Sequence, residues 1–219
     1  MNKLINNLIL DVDGTLWNTT DVVVDAWNEA ITADGRSQIH VTAERLQQLF
    51  GKPMNVIGES LFTDVSKEVC EKLLEDCCQY EQRALQETKL NLLYPGVADT
   101  MEKLVQEQGK RLYVVSNCQS GYIELFLAKN HLEAYVTDTE CYGNTGRGKG
   151  ENIRLLMERN GITAENTVYV GDTAGDQEAS AEAGLDFVYA GYGFGTVEGA
   201  TEILAFSDLL ELSRYIETI

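Results

Sequence analysis

Histidine is nearly missing from this chain, with two in 219 residues. The five cysteines (Cys70, Cys77, Cys78, Cys118 and Cys141) form no CxxC pair. Together these scarcities argue against a zinc site, and an odd number of scattered thiols reads as reduced cysteine in a cytoplasmic protein. Basic residues are also few: 17 Lys and Arg stand against 35 Asp and Glu, a net charge of −18. Such a chain is repelled by phosphate backbones and by anionic membrane surfaces, so neither nucleic acid nor membrane is an expected partner. The charge itself reads as solubility. Long hydrophobic runs are lacking too, and no stretch approaches the roughly 20 apolar residues of a spanning helix. The opening MNKLINNLILDVD does not read as a signal peptide, because Asn6 and Asn7 interrupt its apolar run and Asp11 ends it. Internal repeats and low-complexity tracts are absent.

What is present has a rhythm. Short apolar runs the length of buried strands recur as LILDV (8–12), RLYVVS (111–116), TVYVGD (167–172) and LDFVYA (185–190). Helical patterns lie among them: VADTMEKLVQEQG, stopped by Gly109; SGYIELFLAKN; and ENIRLLMERNG, ended by Gly161. Alternating strand and helix predicts an α/β fold, a mostly parallel sheet covered on both faces. Chemistry in such sheets gathers at the carboxyl ends of the strands. Residues 17–87 break the pattern with three helical stripes and no strand. The stripes are Val23, Trp27, Ala30 and Ile31; Leu46, Leu49 and Phe50; and Val69, Leu73, Cys77, Tyr80 and Ala84, entered through Ser66 as N-cap. All three read as helix core, and Cys77-Cys78 as packing. The expected organisation is a core of residues 1–16 and 88–219 with an all-helical cap inserted at 17–87, the return marked by Tyr94-Pro95-Gly96.

Acidic groups sit at the strand ends. Side chains in a strand alternate, so Asp11 and Asp13 are expected to project to one side. Two converging carboxylates read either as solvated aspartates in a turn or as a pair sharing a divalent cation, and Mg²⁺ prefers such hard oxygen ligands. Gly14 would let the backbone turn sharply beyond them. The run at 167–172 ends in Gly171 and Asp172, with Asp176 four residues on, and that at 111–116 ends in Ser116, followed by Asn117. Lys149 stands at a helix start. A carboxylate nucleophile, a metal site and donors for phosphoryl oxygens are the parts that phosphoryl transfer requires.

This arrangement resembles the haloacid dehalogenase-like superfamily of phosphohydrolases. DVDGTL matches its first motif, Ser116 in VVSN its second, Lys149 its third and GDTAGD its fourth, in the family's order, from about Leu4 to Gly195. The insertion is similar to the helical cap of the phosphoglycolate phosphatase and β-phosphoglucomutase branch. The resemblance implies a Rossmann-like core. It implies Asp11 as nucleophile, Asp13 as general acid and then base, and Ser116, Asn117 and Lys149 as phosphate-binding groups. Mg²⁺ would be held by the Asp11 side chain, the Asp13 backbone carbonyl and Asp172. Asp13 also favours phosphate over organohalide substrates, because dehalogenases of the family lack that carboxylate. The proline that often follows the family's lysine is Gly150 here, which leaves a solvated loop lysine as the other reading of Lys149; Arg147 is a weaker candidate for its charge. Asp176 would orient Lys149 or a metal-bound water.

The expected activity is Mg²⁺-dependent hydrolysis of a small phosphorylated metabolite. Two alternatives stand beside it: a sugar-phosphate mutase of the same family, and a non-catalytic receiver-like module phosphorylated on Asp11. GNTGRGKG (143–150) also fits G-x-x-x-x-G-K, but the following Ser or Thr of a P-loop is replaced by Gly150. Within the insertion, Lys52 beside Gly51 and Pro53 reads either as a substrate contact or as an exposed loop lysine. The substrate and the oligomeric state are not legible.

Overall fold

Asn7–Leu10 forms β1, buried along its whole length because it runs through the middle of a sheet. The structure is a computed structural model and describes residues 4–213. After β1 come α1 (Thr20–Asp34), α2 (Ala43–Gln47), α3 (Met54–Leu61) and α4 (Lys67–Glu87), then α5 (Val97–Gln106) and β2 (Arg111–Ser116). The chain continues through α6 (Tyr122–Asn130), β3 (Val136–Cys141), α7 (Tyr142–Thr145) and α8 (Lys149–Asn160). It ends with β4 (Thr167–Gly171), α9 (Ala174–Ala183), β5 (Asp186–Ala190), β6 (Thr201–Ile203) and α10 (Leu209–Leu212).

Among the described residues, six strands make one sheet in the order β3-β2-β1-β4-β5-β6. Every pairing is parallel. From β1 the chain builds outward through β2 and β3, then returns to lay β4 on the other side of β1. That reversal opens a crevice at the carboxyl ends of β1 and β4, the place where doubly wound sheets bind ligands. Alternate residues Ile9, Tyr113, Val115 and Tyr169 face one side and pack with Ile153 and Leu156 of α8 and Ala179 of α9. Their burial holds the strand ends in a fixed register.

Four strands fall where the apolar runs predict them. β3 and β6 do not announce themselves. VTDTEC is an edge strand with its first four residues at least partly exposed, so its sequence shows no apolar run, and TEI has three residues.

Two compact units divide the chain: residues up to Asn18 together with those from Leu93 onward, and Thr19–Leu92. The joins lie two and five residues beyond those read at 16/17 and 87/88. Trp17 bridges to Leu93 and Tyr94 N donates to Leu16 O at 3.0 Å, tying both joins to the sheet unit.

The Thr19–Leu92 unit is all helical among the described residues. Ser66 caps α4 by accepting from Val69 N. The buried face of α4 is Cys70, Leu73, Cys77, Glu81 and Leu85: Leu73 and Cys77 belong to the expected stripe, whereas its other members Val69, Tyr80 and Ala84 are only partly buried. Glu81 explains the shift: its buried carboxylate accepts the Trp27 indole N–H at 2.6 Å, so an acidic residue occupies a core position that an apolar pattern passes over. Helix α3 was not expected. Gly58 weakens its helical signal, and it packs closely on α4, where a Cβ would lie 3.0 Å from Leu74 Cδ2.

Candidate active site

The parallel ladder carries one rung past β1, with Asp11 N donating to Val170 O at 2.9 Å. The chain then folds tightly: Leu16 N and Trp17 N both donate to Val12 O, and Gly14 N donates to Trp17 O. Gly14 sits at φ +83°, and a Cβ there would collide with the Asp172 carboxylate. No other residue fits that turn without moving Asp172. Gly193, in the loop after β5, is pressed equally close, between Asp172 and the Gly14 carbonyl. The Phe194 amide next to it donates to Asp172 Oδ2 at 2.7 Å, while Thr15 Oγ1 lies 3.4 Å from Asp172 Oδ1.

Lys149 opens α8 and is buried. Its Nζ lies 2.9 Å from Asp11 Oδ1 and 2.5 Å from Asp176 Oδ1. Asp176 is itself held by the start of α9, where Oδ2 accepts from Thr173 N (3.0 Å), Thr173 Oγ1 (2.7 Å) and Asp172 N (3.2 Å). Both of its oxygens are thus engaged by the chain, and it anchors Lys149 against Asp11. Tyr169 OH donates to Val115 O and lies 3.4 Å from Asp176 Oδ1.

Three buried carboxylates therefore face one buried ammonium. Burial, reinforced by Asp176, pushes Asp11 up to about 7 even against Lys149. Burial, with the charges of Asp176 and Asp11, pushes Asp172 up to about 8. Burial opposes the charge on Lys149, but Asp11 and Asp176 outweigh it and hold its pKa well above the usual lysine value. Oxygens of Asp11, Asp172 and Asp176 lie within 4.8 Å of one another. A buried, under-neutralised oxygen cluster of this size fits a hard divalent cation.

A pH prediction arises from these shifts. Both acids are raised above the usual 3.8 on folding. Their contribution to stability is therefore complete below about pH 4 and is lost as pH climbs through about 7 to 8. A cation binds the ionised pair, so added Mg²⁺ is expected to raise the Tm of chelator-treated protein more at about pH 8 than at about pH 6. Thermal melts at both values check it; a larger shift at the lower value contradicts it.

The carboxylates Asp11 and Asp172 and the ammonium of Lys149 converge in this cluster. Ser116, buried, ends the neighbouring strand and Asn117, also buried, follows it; since Leu10 pairs with Val114 in register, Ser116 lies one residue further along than Asp11. Asp13 differs from the strand-period expectation: β1 stops at Leu10, and Asp13 lies in the turn, its Oδ1 bonded to Trp17 Nε1 and Tyr122 OH. Lys52 is an exposed residue of the helical unit, between α2 and α3. Sequence reasoning missed Thr15, Trp17, Tyr122, Tyr169 and the Phe194 amide. An NH donor in a glycine-rich loop carries no side-chain signal, and nothing local to the aromatics marks them as site residues.

Fold and site together define an α/β enzyme with its reactive groups at the switch point of a parallel sheet. The chain belongs to the haloacid dehalogenase-like hydrolase family, whose sequence profile matches residues 8–190. Over 197 residues it is 26% identical to a phosphoglycolate phosphatase of Aliivibrio fischeri, covering 85% of this chain and 84% of that one. It is 25% identical over 195 residues to a 5'-nucleotidase of Pseudomonas aeruginosa, with 87% and 84% coverage. The crystal structure of a predicted phosphoglycolate phosphatase from Haemophilus somnus superposes with a TM-score of 0.83 at 18% identity, covering 95% of this chain and 98% of that one. Family and relatives make the protein a phosphatase-type hydrolase. No helix among the described residues is long and apolar enough to cross a membrane.

Proposed function

We propose that the protein is a Mg²⁺-dependent phosphatase of small phosphate monoesters that works through an aspartyl phosphate on Asp11. The observation that carries this reading is the Asp11 carboxylate, buried and held at 2.9 Å by a lysine that is itself locked by Asp176. An Asp11 oxygen attacks phosphorus while the bond to the leaving oxygen breaks and Asp13 gives that oxygen a proton. Asp13 then takes a proton from water, which attacks the same phosphorus, frees phosphate and restores Asp11. Ser116, Asn117 and Lys149 hold the phosphoryl oxygens. Asp11, Asp172 and the Asp13 carbonyl are the residues that would hold the ion, whose contribution is to lower the repulsion between anionic nucleophile and phosphate. Phosphoglycolate is the first substrate to assay, since relatives across most of the chain carry that activity in their names.

Phosphate release from a panel of phosphorylated metabolites tests the reading directly. Exhaustive chelation is expected to abolish turnover and Mg²⁺ to restore it. Ca²⁺ should inhibit, because its looser coordination misplaces the nucleophile. Asp172→Ala should weaken metal binding and turnover together. Full activity after chelation removes the metal role, and isomerisation of a sugar phosphate without phosphate release replaces hydrolysis by mutase chemistry.

Specificity is assigned to the helical unit, with Lys52 in contact with the part of the substrate remote from phosphorus. Lys52→Ala is then expected to lower kcat/KM for the preferred substrate about tenfold and for p-nitrophenyl phosphate hardly at all, since remote binding energy orients the reacting group. Equal effects on both substrates take Lys52 out of the site.

A further inference from the structure

Two donors meet on one oxygen of Asp13. The Tyr122 hydroxyl lies 2.6 Å from Oδ1, and Trp17 Nε1 lies 3.1 Å from the same atom. The two side chains come from separate elements, Trp17 from the turn after β1 and Tyr122 from the first residue of α6. Both are buried, at 0% and 1% exposure. Their rings meet edge-on with centroids 5.6 Å apart, and Phe126 packs edge-on against Trp17 at 4.9 Å. Packing alone asks only for apolar rings here. A hydroxyl and an indole N–H placed inside such a cluster cost free energy unless each finds an acceptor, and Asp13 is an acceptor for both.

We propose that Tyr122 and Trp17 are positioning residues that set the plane of the Asp13 carboxyl for proton transfer. The inference rests on the reading of Asp13 as general acid and base. A carboxyl oxygen has two lone pairs near its plane, and two donors use both. Oδ1 therefore serves as the carbonyl oxygen of the neutral acid, and the transferable proton is carried by Oδ2. Turning the carboxyl about its Cβ–Cγ bond would break both hydrogen bonds at once. As the phosphorus–oxygen bond breaks, the proton passes from Oδ2 to the leaving oxygen, and the same atom later receives a proton from the attacking water. Both donors stay in place through the cycle, and they strengthen when the carboxylate carries its charge. Their help is thus largest at the moment the leaving oxygen is protonated.

Leaving-group dependence separates this role from a structural one. p-Nitrophenolate departs without a proton, whereas phenolate and an alkoxide need one. The measurement is kcat/KM for p-nitrophenyl phosphate, phenyl phosphate and glycerol phosphate, which reports steps up to phosphoryl transfer to Asp11. The proteins compared are wild type, Asp13→Asn, Tyr122→Phe and Trp17→Phe, each with its melting curve. Tyr122→Phe keeps the ring and removes one O–H, so it is the decisive variant if Trp17→Phe fails to fold. Tyr122→Phe is expected to lower kcat/KM about tenfold for the alkyl ester and less than about threefold for p-nitrophenyl phosphate, the size of one hydrogen bond to a charged group. Its leaving-group slope should steepen in the direction of Asp13→Asn. If Asp13→Asn steepens the slope and Tyr122→Phe lowers all three esters equally or none, the positioning role is overturned while the acid role stands. If Asp13→Asn itself leaves the slope unchanged, the reading of Asp13 as general acid falls, and the inference with it.

Discussion

Asp11→Asn is expected to reduce phosphate release by at least about 10⁴-fold, because an amide oxygen is a poor nucleophile and no neighbouring group can replace it. The fold should survive. Asp11 is one of three buried carboxylates around a single ammonium, and burial already pushes its pKa up to about 7. Neutralising it removes the cost of keeping that charge out of water together with the repulsion from Asp176, and these outweigh the weakened contact with Lys149. The melting temperature of chelator-treated protein near pH 8 should therefore stay within a few degrees of wild type or rise. Phosphate release and a thermal melt on one preparation provide the check. Substantial activity in the variant would remove Asp11 as nucleophile, and a collapsed fold would mean that the ion pair outweighs the cost of burying the charge.

Lys149→Met is expected to damage both activity and stability. The side chain is 3% exposed and bridges Asp11 and Asp176. Removing one partner of a buried ionic cluster leaves uncompensated charge, which costs about 3–5 kcal/mol. The lower end is expected here, since Asp11 at about 7 can take up a proton instead. For the same reason the loss should be smaller near pH 6 than near pH 8, because at the lower pH Asp11 is neutral more of the time. Urea unfolding of chelator-treated protein at the two pH values measures both size and sign. Turnover should fall at least about 10²-fold from loss of a preorganised cation at the phosphoryl oxygens. Asp176→Asn is the companion: Thr173 and the Asp172 amide can still bond the amide oxygen, but the ammonium loses its second anion. Its activity should fall less than that of Lys149→Met. Wild-type stability in Lys149→Met at both pH values would contradict the buried bridge.

The central strands and the sheet-unit helices were legible because burial on both faces writes itself as unbroken apolar runs. NLIL, RLYVVS and TVYVG need no partner to be recognised, and the residues that terminate them, Asp11, Ser116 and Asp172, follow from chain order alone. Lys149 was visible as a cation at a helix start. The order of those elements was enough to point to a parallel sheet and to phosphoryl transfer.

What stayed hidden depends on contacts between residues far apart in the chain. Edge strand β3 buries only its last two residues and leaves those before them partly or wholly exposed, so its run of threonine and acids resembles a loop. Glu81 enters the core only because Trp27, 54 positions away, supplies a donor. Nothing in the sequence singles out Trp17 and Tyr122 until the turn after β1 and the start of α6 bring them, 105 positions apart, onto one oxygen of Asp13. Apolar periodicity is local, and a single chain displays it residue by residue. A hydrogen bond to a buried charge needs two groups within about 3 Å, and that coincidence exists only once the sheet has closed around them.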